Sequence, residues 1–276
     1  MSLVTLADVL QPALRDGYAV AGLVTLGWED MRAYVAAAEA ENVPVILQAG
    51  PSCRDHTPLP VLGAMFRYLA ESASVPVVAH LDHGYTSDEC RIAIDCGFTS
   101  VMFDGSRKPL AQNIDETAAI VEMAHASGVS CEGEIGFVGY AGGETSEGTD
   151  PGDAAKFARE TGVDAMAISV GNVHLQSEAS EGLDEARIRA IEVVTTVPLV
   201  IHGGSGVPVA QRRALATGSA ICKFNIGTEL RMAFGSALRE AVTRDASRFD
   251  RIQILRETHA PLVAATRHVL RALKGG

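Results

Sequence analysis

Five short clusters of polar residues and glycine follow apolar runs in this sequence. They are His80-Leu81-Asp82-His83-Gly84, Phe103-Asp104-Gly105-Ser106, Val170-Gly171-Asn172-Val173-His174, Ile201-His202-Gly203-Gly204-Ser205-Gly206 and Lys223-Phe224-Asn225-Ile226-Gly227-Thr228. The carboxyl ends of parallel strands meet on one side of a sheet or barrel, and catalytic side chains collect there. These clusters are therefore the first candidates for a functional site.

Three of the clusters each contribute one histidine, namely His83, His174 and His202. A single histidine at a strand end often does no more than bond a backbone carbonyl. Three neutral imidazoles at one mouth, however, can hold Zn²⁺ and leave a fourth coordination position open for a substrate. We therefore predict one catalytic zinc ion on these residues, and we interpret the neighbouring His80 as structural or as a residue that orients a ligand.

Carboxylates stand close to these histidines in the sequence. Asp82 directly precedes His83. It could act as a general acid or base beside a metal-bound substrate, or it could cap a helix or orient a ligand. Asp104 and Glu134 also end predicted strands. They could form a second, oxygen-rich cation site or simply orient the histidines, and both interpretations stay open.

Two glycine-containing turns could bind an anion. Gly203-Gly204-Ser205-Gly206 follows a strand and precedes a helix, so its backbone N–H groups and the helix N-terminus can approach a phosphate. Such a turn is weak evidence by itself. The Asn225–Thr228 turn after the next strand strengthens it, because strands seven and eight of α/β barrels often carry a phosphate site.

The elements that must position these residues alternate along the chain. Short β-branched runs and stretches of helical period follow one another, which is typical of βα units. We predict strands near Tyr18–Val24, Pro44–Ala49, Pro76–Leu81, Ser100–Phe103, Ser130–Ile135, Ala165–Val170, Pro198–Ile201 and Ala220–Ile226. Predicted helices include Trp28–Glu41, Leu59–Glu71, Ser87–Asp95, Leu110–Ala126, Asp153–Glu160, Leu183–Val193 and Val209–Ala216, with Ser87 and Asp153 as helix caps.

Eight strand–helix units within 276 residues predict an α/β fold of the (β/α)8 TIM-barrel class, with residues 1–276 as a single domain. Asp250–Lys274 is predicted as an extra C-terminal helix, packed outside the barrel or against a second subunit. An open doubly wound sheet is the alternative. That fold usually has a glycine-rich phosphate turn after its first strand, which Ala21-Gly22-Leu23-Val24 does not provide.

Composition excludes several classes of function. The net charge of −11 disfavours nucleic acid and anionic membranes as partners. No apolar run approaches the roughly 18 residues of a membrane span, and the N-terminus lacks a basic signal-peptide region. The five cysteines form no CxxC pair. This pattern favours reduced thiols and a cytoplasmic protein.

The stretch Gly136–Gly152 breaks the alternation of strands and helices. It holds six glycines and three acidic residues, Glu144, Glu147 and Asp150. It could be a disordered surface loop. A long loop after a barrel strand lies on the catalytic face, however, so a mobile lid is an equally good interpretation.

From Pro44 to Arg231 the order and spacing of the motifs resemble the zinc-dependent class II aldolases of the fructose-bisphosphate and tagatose-bisphosphate type. The most specific motifs are His80-Leu81-Asp82-His83, Ser100-Val101-Met102-Phe103-Asp104-Gly105-Ser106, Glu132-Gly133-Glu134-Ile135-Gly136, His202-Gly203-Gly204-Ser205-Gly206-Val207-Pro208 and Lys223-Phe224-Asn225-Ile226-Gly227-Thr228-Glu229-Leu230. The resemblance implies a metal-dependent lyase that cleaves or forms a carbon–carbon bond in a ketose, with a ketose phosphate giving dihydroxyacetone phosphate or a similar hydroxyketone plus an aldehyde. It also implies a homo-oligomer, either a dimer or a tetramer.

The resemblance assigns roles residue by residue. It implies His83, His174 and His202 as the zinc ligands, with Asp104 and Glu134 as alternative metal-site residues for a possible second divalent or monovalent cation. It implies Asp82 as the acid/base that serves the aldehyde oxygen. A loop glutamate, Glu144 or Glu147, would move the α-proton.

On the phosphate side the resemblance implies contacts from Gly203, Ser205, Asn225 and Thr228, to which we add Gly204 and Gly227 of the same turns. Three positions there depart from the family pattern. Leu175 follows His174 where the family usually has glycine. Ala21 and Gly50 stand where the family tends to carry asparagine and serine.

Three other functions compete with this one. A Schiff-base aldolase needs a lysine inside the barrel, and Lys223 is the only one on a predicted strand. A barrel metal-hydrolase usually takes a His-x-His pair from its first strand, and Tyr18–Val24 has no histidine. A non-catalytic sugar-binding or partner subunit would keep the barrel, but it has no need of an open zinc position.

Overall fold

The computed structural model describes residues 2–178 and 182–274. Within them, eight parallel strands close a barrel in chain order. The strands are β1 (Val20–Val24), β2 (Val45–Ala49), β3 (Val77–Gly84), β4 (Ser100–Phe103), β5 (Ser130–Ile135), β6 (Ala165–Ile168), β7 (Leu199–Ile201) and β8 (Ile221–Ile226). The predicted TIM barrel is thereby confirmed, and the open sheet is wrong because β1 pairs with β8.

Helices surround this barrel. They are α1 (Leu6–Asp16), α2 (Trp28–Glu41), α3 (Pro51–His56), α4 (Leu59–Ser72), α5 (Ser87–Asp95), α6 (Leu110–Ala126), α7 (Pro151–Thr161), α8 (Glu185–Glu192), α9 (Val209–Gly218), α10 (Thr228–Arg244) and α11 (Arg251–Leu273), with one 3₁₀ turn at Gly204–Gly206. None of the helices in the described part of the chain has the length and apolarity that crossing a bilayer requires.

The two faces of each strand pack differently. Outward side chains such as Leu81 and Phe224 join the main apolar core between the barrel and the helices. Helix α1 closes the amino end of the barrel, where Leu6 and Leu10 pack against Ile46 of β2. Sequence analysis did not predict α1, although Leu6, Leu10 and Ala13 have helical spacing and Thr5 forms a capping box with Asp8.

Both predicted helix caps are wrong by a short distance along the chain. Helix α5 is capped by Thr86, whose hydroxyl accepts from the backbone N–H of Glu89. Helix α7 is capped by Asp150, because Pro151 occupies the first helical position, where its missing N–H has no cost. In each case the side-chain oxygen of the residue just before the helix accepts a hydrogen bond from a free backbone N–H group of the first turn.

The C-terminal helix α11 packs outside the barrel, as predicted, against α2 and α10. Its apolar face is buried, with Leu262 fully inaccessible. Arg267 and Arg271 of α11 reach Oε1 of Glu41 at 2.6 and 2.8 Å. Since Glu41 is the last residue of α2, these ion pairs fix α11 to that helix and leave the barrel mouth uncovered by it.

Candidate active site

Strand β3 delivers two consecutive side chains to the barrel mouth. Side chains alternate along a regular strand, so His83 should point outward if Asp82 points inward. The register prevents this, because Leu81 pairs with Val101 and Gly84 pairs with Phe103, leaving two residues of β3 opposite one residue of β4. The backbone of His83 also has a φ of 53°. This β-bulge turns His83 back toward the mouth beside Asp82.

The three predicted ligand histidines meet at this mouth. Ring centroids lie 5.2 Å apart for His83 and His174, 4.8 Å for His83 and His202, and 5.7 Å for His174 and His202. One ring nitrogen from each residue lies within 4.8 Å of the other two. Strands β3 and β7 and the segment after β6 therefore place three nitrogens where one cation could contact all of them.

Carboxylates orient two of these rings. Nδ1 of His83 is 2.7 Å from Oδ2 of Asp104, which leaves its Nε2 free. Nε2 of His202 is 3.0 Å from Oε1 of Glu132. Carboxylate partners of this kind fix the tautomer and direction of metal-binding histidines.

Among the buried polar atoms at the mouth that lack a hydrogen-bond partner within the described residues are Nδ1 of His202 and Oε2 of Glu134, which lie 3.2 Å apart. An unpaired buried polar atom is costly unless something not yet counted satisfies it. A divalent cation would satisfy both atoms, so the donor set fits a metal site.

Electrostatics at the mouth also favour a cation. Burial, together with the neighbouring His83 and His202, lowers the pKa of His174 to about 3, so its ring is neutral and able to ligate. Burial acts in the same direction on His202, but its contacts with Glu132 and Glu134 raise the pKa to about 10. The carboxylates of Glu132 and Glu134 thus stabilise a positive charge at this point.

A second potential cation site shares one histidine with the first. His83, Asp104 and Glu134 place ligand atoms within 4.8 Å of one another. Asp104 is held in place by the hydroxyl and backbone N–H of Ser106, at 2.6 and 3.1 Å. The geometry is therefore consistent with both interpretations of Asp104 and Glu134. Asp104 orients His83, and it also belongs to a three-residue ligand set.

A buried ionic layer lies below the histidines. Nζ of Lys223 donates to Oε2 of Glu132 at 2.6 Å, and both side chains are inaccessible to solvent. His80 bonds Ser100 at 2.8 Å in the same layer and serves a structural role. Lys223 is buried in this ion pair and does not line the cavity at the mouth, which argues against its use as a Schiff-base lysine.

Asp82 lies at the wall of the mouth, next to the histidines. Its Oδ1 accepts from Nδ2 of Asn225 at 3.3 Å. Burial acts to raise the pKa of Asp82, but the charges of His83 and His202 outweigh it and lower the pKa. An ionised carboxylate beside a cation site can accept a proton, as a general base must.

A cavity of about 320 Å³ opens above these residues. Of the predicted phosphate-side residues, it is lined by Gly203, Ser205, Asn225, Gly227 and Thr228. The Ser205 hydroxyl accepts from the backbone N–H groups of Gly227 and Glu229, both at 3.3 Å. Gly204 does not reach the cavity wall, because it is buried in the 3₁₀ turn against Asn225 and Phe224.

Two of the three departures from the family pattern lie at this cavity. Gly50 lines it, and a Cβ atom there would lie 3.3 Å from Oδ2 of Asp82. Leu175 also lines it and is 52% exposed, with a φ of 57° that glycine adopts more readily. The third departure does not lie at the cavity, because Ala21 packs in the main core between the barrel and the helices. Val24 is the β1 residue at the cavity.

The Gly136–Gly152 loop forms backbone pairs and is not a disordered excursion. Phe137 exchanges two backbone hydrogen bonds with Glu147, at 2.9 and 2.8 Å. The backbone of His174 accepts from Ala141 and donates to Gly139, and the Tyr140 ring stacks on the His174 imidazole at 4.8 Å. The loop therefore helps position a candidate ligand.

Neither candidate loop base lines the cavity. The Glu144 side chain is 60% exposed and forms an ion pair with Arg107, whose guanidinium also lies over the Phe137 ring. Glu147 is exposed as well. In this conformation of the loop both carboxylates therefore lie outside the cavity.

Sequence reasoning missed several residues at the site and considered one of them, Lys223, only as a Schiff-base candidate. Glu132 and Lys223 form the ionic layer, Tyr140 stacks on a ligand histidine, and Tyr85 and Arg231 line the cavity. A charged pair on two predicted inward-facing strand positions was a detectable signal for the ionic layer. Nothing in the spacing indicated the aromatic residues, because loop geometry decides where they lie.

Comparisons with known proteins agree with this geometry. The family described as fructose-bisphosphate aldolase class-II matches residues 4–275. A fructose-bisphosphate aldolase of Geobacillus stearothermophilus is 38% identical over 263 residues, covering 92% of this chain and 91% of the relative. A 6-phospho-5-dehydro-2-deoxy-D-gluconate aldolase of Shouchella clausii is 38% identical over 275 residues, covering 96% and 92%.

A solved structure shows the same architecture. The YdjI aldolase of Escherichia coli K12 superposes with a TM-score of 0.86 at 28% identity, covering 98% of this chain and 97% of that one. The sequence match and the structural match both extend over almost the whole chain. The chain belongs to the class II fructose-bisphosphate aldolase family, and it is an aldolase, a carbon–carbon lyase.

Proposed function

We propose that this aldolase uses a zinc ion to cleave a ketose phosphate into dihydroxyacetone phosphate, or a similar hydroxyketone, and an aldehyde. One observation carries the proposal: a nitrogen from each of His83, His174 and His202 lies within 4.8 Å of the others, beside the ionised Asp82. Three histidines with an open fourth position are a catalytic zinc arrangement.

His83, His174 and His202 would hold the ion. When bound, zinc supplies a Lewis acid that stabilises the negative charge developing on the ketone half during cleavage. Glu132 and Asp104 keep two of the rings in the orientation that ligation needs. Asp104 and Glu134, with His83, form the alternative set for a second cation.

Asp82 moves the proton of the aldehyde half. As the carbon–carbon bond breaks, its carboxylate accepts the proton of the hydroxyl that becomes the aldehyde oxygen, and it returns that proton in the synthetic direction. The bonding electron pair stays on the ketone half as an enediolate. Glu144 of the loop takes a proton from solvent water and, after loop closure brings it inward, delivers that proton to the carbon next to the ketone. Asp82 releases its proton to solvent once the aldehyde has left.

The phosphate would lie between the two glycine-containing turns. Gly203 allows the backbone to approach closely, because a side chain there would clash with the Val173 carbonyl. Gly227 and Thr228 start the long helix α10, whose N-terminus attracts an anion. The hydroxyl of Ser205 and the amide of Asn225 face the same cavity. Both relatives named above act on phosphorylated substrates according to their names.

The test is metal analysis combined with a substrate panel. Purified protein should contain about one zinc ion per chain by elemental analysis, and chelation should remove both the metal and aldehyde release. Phosphorylated ketoses should release aldehyde while the matched unphosphorylated sugars should not. Cleavage that survives complete metal removal would overturn the proposal, and so would equal cleavage of both sugar sets.

A further inference from the structure

The bulged end of β3 lies beyond the last hydrogen-bonded residue of its neighbour β2. The ladder between these strands ends where Ala49 pairs with Leu81, because the chain turns at Gly50 into α3. The carbonyl groups of Asp82 and His83 therefore lack a β2 backbone partner. Buried carbonyls in this situation need another donor.

One side chain supplies that donor. Nη1 of Arg54, on α3, donates to the carbonyls of Ala49 and Asp82 at 3.0 and 2.7 Å. Its Nη2 donates to the carbonyl of His83 at 3.0 Å. The side chain is only 8% exposed. A single planar guanidinium thus joins the ends of both strands, which the compact ammonium of lysine could not do.

A carboxylate fixes this guanidinium in turn. Oε1 of Glu89 accepts from Nη2 of Arg54 at 3.2 Å. The second oxygen, Oε2, accepts from the backbone N–H groups of Tyr85 and Thr86 at 2.8 and 3.1 Å. Glu89 therefore connects Arg54 to the start of α5, the element that follows the bulge. The guanidinium is thus bonded both to the bulge itself and, through Glu89, to the segment that follows the bulge.

We propose that Arg54 is a positioning residue that maintains the β3 bulge and so directs Asp82 and His83 together into the mouth. The positive φ of His83 is strained for a residue with a side chain, and it persists only while its surroundings enforce it. Without the guanidinium, the two carbonyls lose their donors and the strand can relax toward regular alternation. His83 would then turn away from His174 and His202.

The surroundings of Arg54 make the proposal testable by chemical rescue. A cavity of about 450 Å³ beside it is lined by Pro51, Arg54, Tyr85 and Glu89 among others. Truncating Arg54 would leave this cavity open to a small guanidinium compound that can bond the same carbonyls and Glu89. Urea, which has a similar planar shape but no charge, serves as the matched compound.

The experiment compares Arg54→Ala and Arg54→Lys with Arg91→Ala, a change at an exposed arginine of α5 that forms ion pairs with Asp88 and Asp95. Visible spectra of Co²⁺ titrations report metal affinity and geometry, and steady-state kinetics report kcat and KM. We expect Arg54→Ala to weaken Co²⁺ binding about 10–100-fold and to lower kcat about 100-fold with little change in KM. Arg54→Lys should lose less, and Arg91→Ala should match the parent protein.

Ethylguanidinium should restore most of the lost Co²⁺ affinity and kcat of Arg54→Ala, whereas urea should not. Parent-like Co²⁺ affinity and kcat in Arg54→Ala would overturn the proposal, as would a folded variant that ethylguanidinium fails to rescue. If Arg54→Ala does not fold, a parent-like Co²⁺ spectrum and kcat in folded Arg54→Lys overturn it instead.

The catalytic readout rests on the proposed function, so one measurement is made without metal. The His83 ring resonances of the metal-free protein should shift in Arg54→Ala and Arg54→Lys but not in Arg91→Ala. Absence of that shift contradicts the positioning role. Absence of Co²⁺ binding and aldolase activity in the parent protein would instead contradict the proposed function, and the two failures are thereby distinguished.

Discussion

The strand side and the loop side of the barrel mouth are built on different principles. On the strand side, His83, His202 and Glu134 are buried, and the strands of the closed barrel, together with the bulge of β3, set their positions. On the loop side, Glu144 and Leu175 are exposed, and Glu144 is held at the surface by an ion pair with Arg107.

This difference matches the needs of the chemistry. Ligands must hold a metal in fixed geometry, and strands inside a packed barrel provide that rigidity. A proton-transfer group that serves a sequestered substrate must move in after binding, and a loop provides that mobility. Each prediction below changes one side of the mouth and asks whether the other side responds.

The largest effect should follow from removing a strand-side ligand. We expect His202→Ala to lose the bound metal and to lower aldol cleavage by more than about a hundredfold, since even indirect partners of a metal contribute 10–100-fold. It also removes a buried contact from both Glu132 and Glu134. Elemental analysis and an aldehyde-release assay measure both losses.

The matched control is His125→Ala, a change at an exposed histidine of α6 that contacts Asp164 away from the barrel mouth. It should keep its metal and its turnover. Retention of stoichiometric zinc by His202→Ala would remove this residue from the ligand set.

Asp82→Ala separates metal binding from proton transfer on the same side. We expect the zinc to remain while turnover falls by a factor on the order of 10²–10⁴, because only the general acid/base is lost. The measurement is zinc content and kcat on one preparation. Loss of zinc with turnover intact would contradict the role given to Asp82.

On the loop side, Glu144→Gln and Glu147→Gln form a matched pair. We expect Glu144→Gln to slow exchange of the α-proton of the hydroxyketone product about a hundredfold, the lower end for a general base, without changing zinc content. Glu147→Gln should have little effect. The rate is measured as the loss of a hydrogen-isotope label from the α-carbon of the hydroxyketone into solvent. The opposite result would assign the loop base to Glu147.

Leu175 offers the smallest expected change. Leu175→Gly relieves a positive φ worth about 1–2 kcal/mol but adds about 0.5–1 kcal/mol of chain entropy cost, so the free energy of unfolding should rise by no more than about 1.5 kcal/mol. Removing the side chain from the cavity wall should lower KM for a phosphorylated ketose.

Leu175→Ala is the control for that change, because it removes the bulk and keeps the strained backbone. It should lower KM similarly and gain no stability. An unchanged KM in both variants would show that Leu175 does not restrict the phosphate side. Denaturant unfolding and initial-rate kinetics measure the two quantities.

Much of the strand side could be predicted from the sequence. Apolar runs ending in His83, His174 and His202 place these residues together once the strands are known to be parallel and closed. The main helices and strands also lie within a few residues of their predicted limits. Local sequence patterns suffice to predict these positions, because the carboxyl ends of all the barrel strands lie on the same face.

The remainder depends on geometry that local patterns do not contain. Simple alternation places His83 outside the barrel, and only the bulge supported by Arg54 reverses it. The register likewise decides that Val24, and not Ala21, lines the cavity. The position of Glu144 depends on a surface ion pair with Arg107, a residue distant in sequence.

The most direct test of the account is anomalous diffraction at the zinc edge from a crystal of the metal-loaded protein. The account predicts one strong peak at about 2.0–2.1 Å from a nitrogen of each of His83, His174 and His202. A peak ligated by other residues, or no peak in protein that cleaves its substrate at full rate, would contradict it.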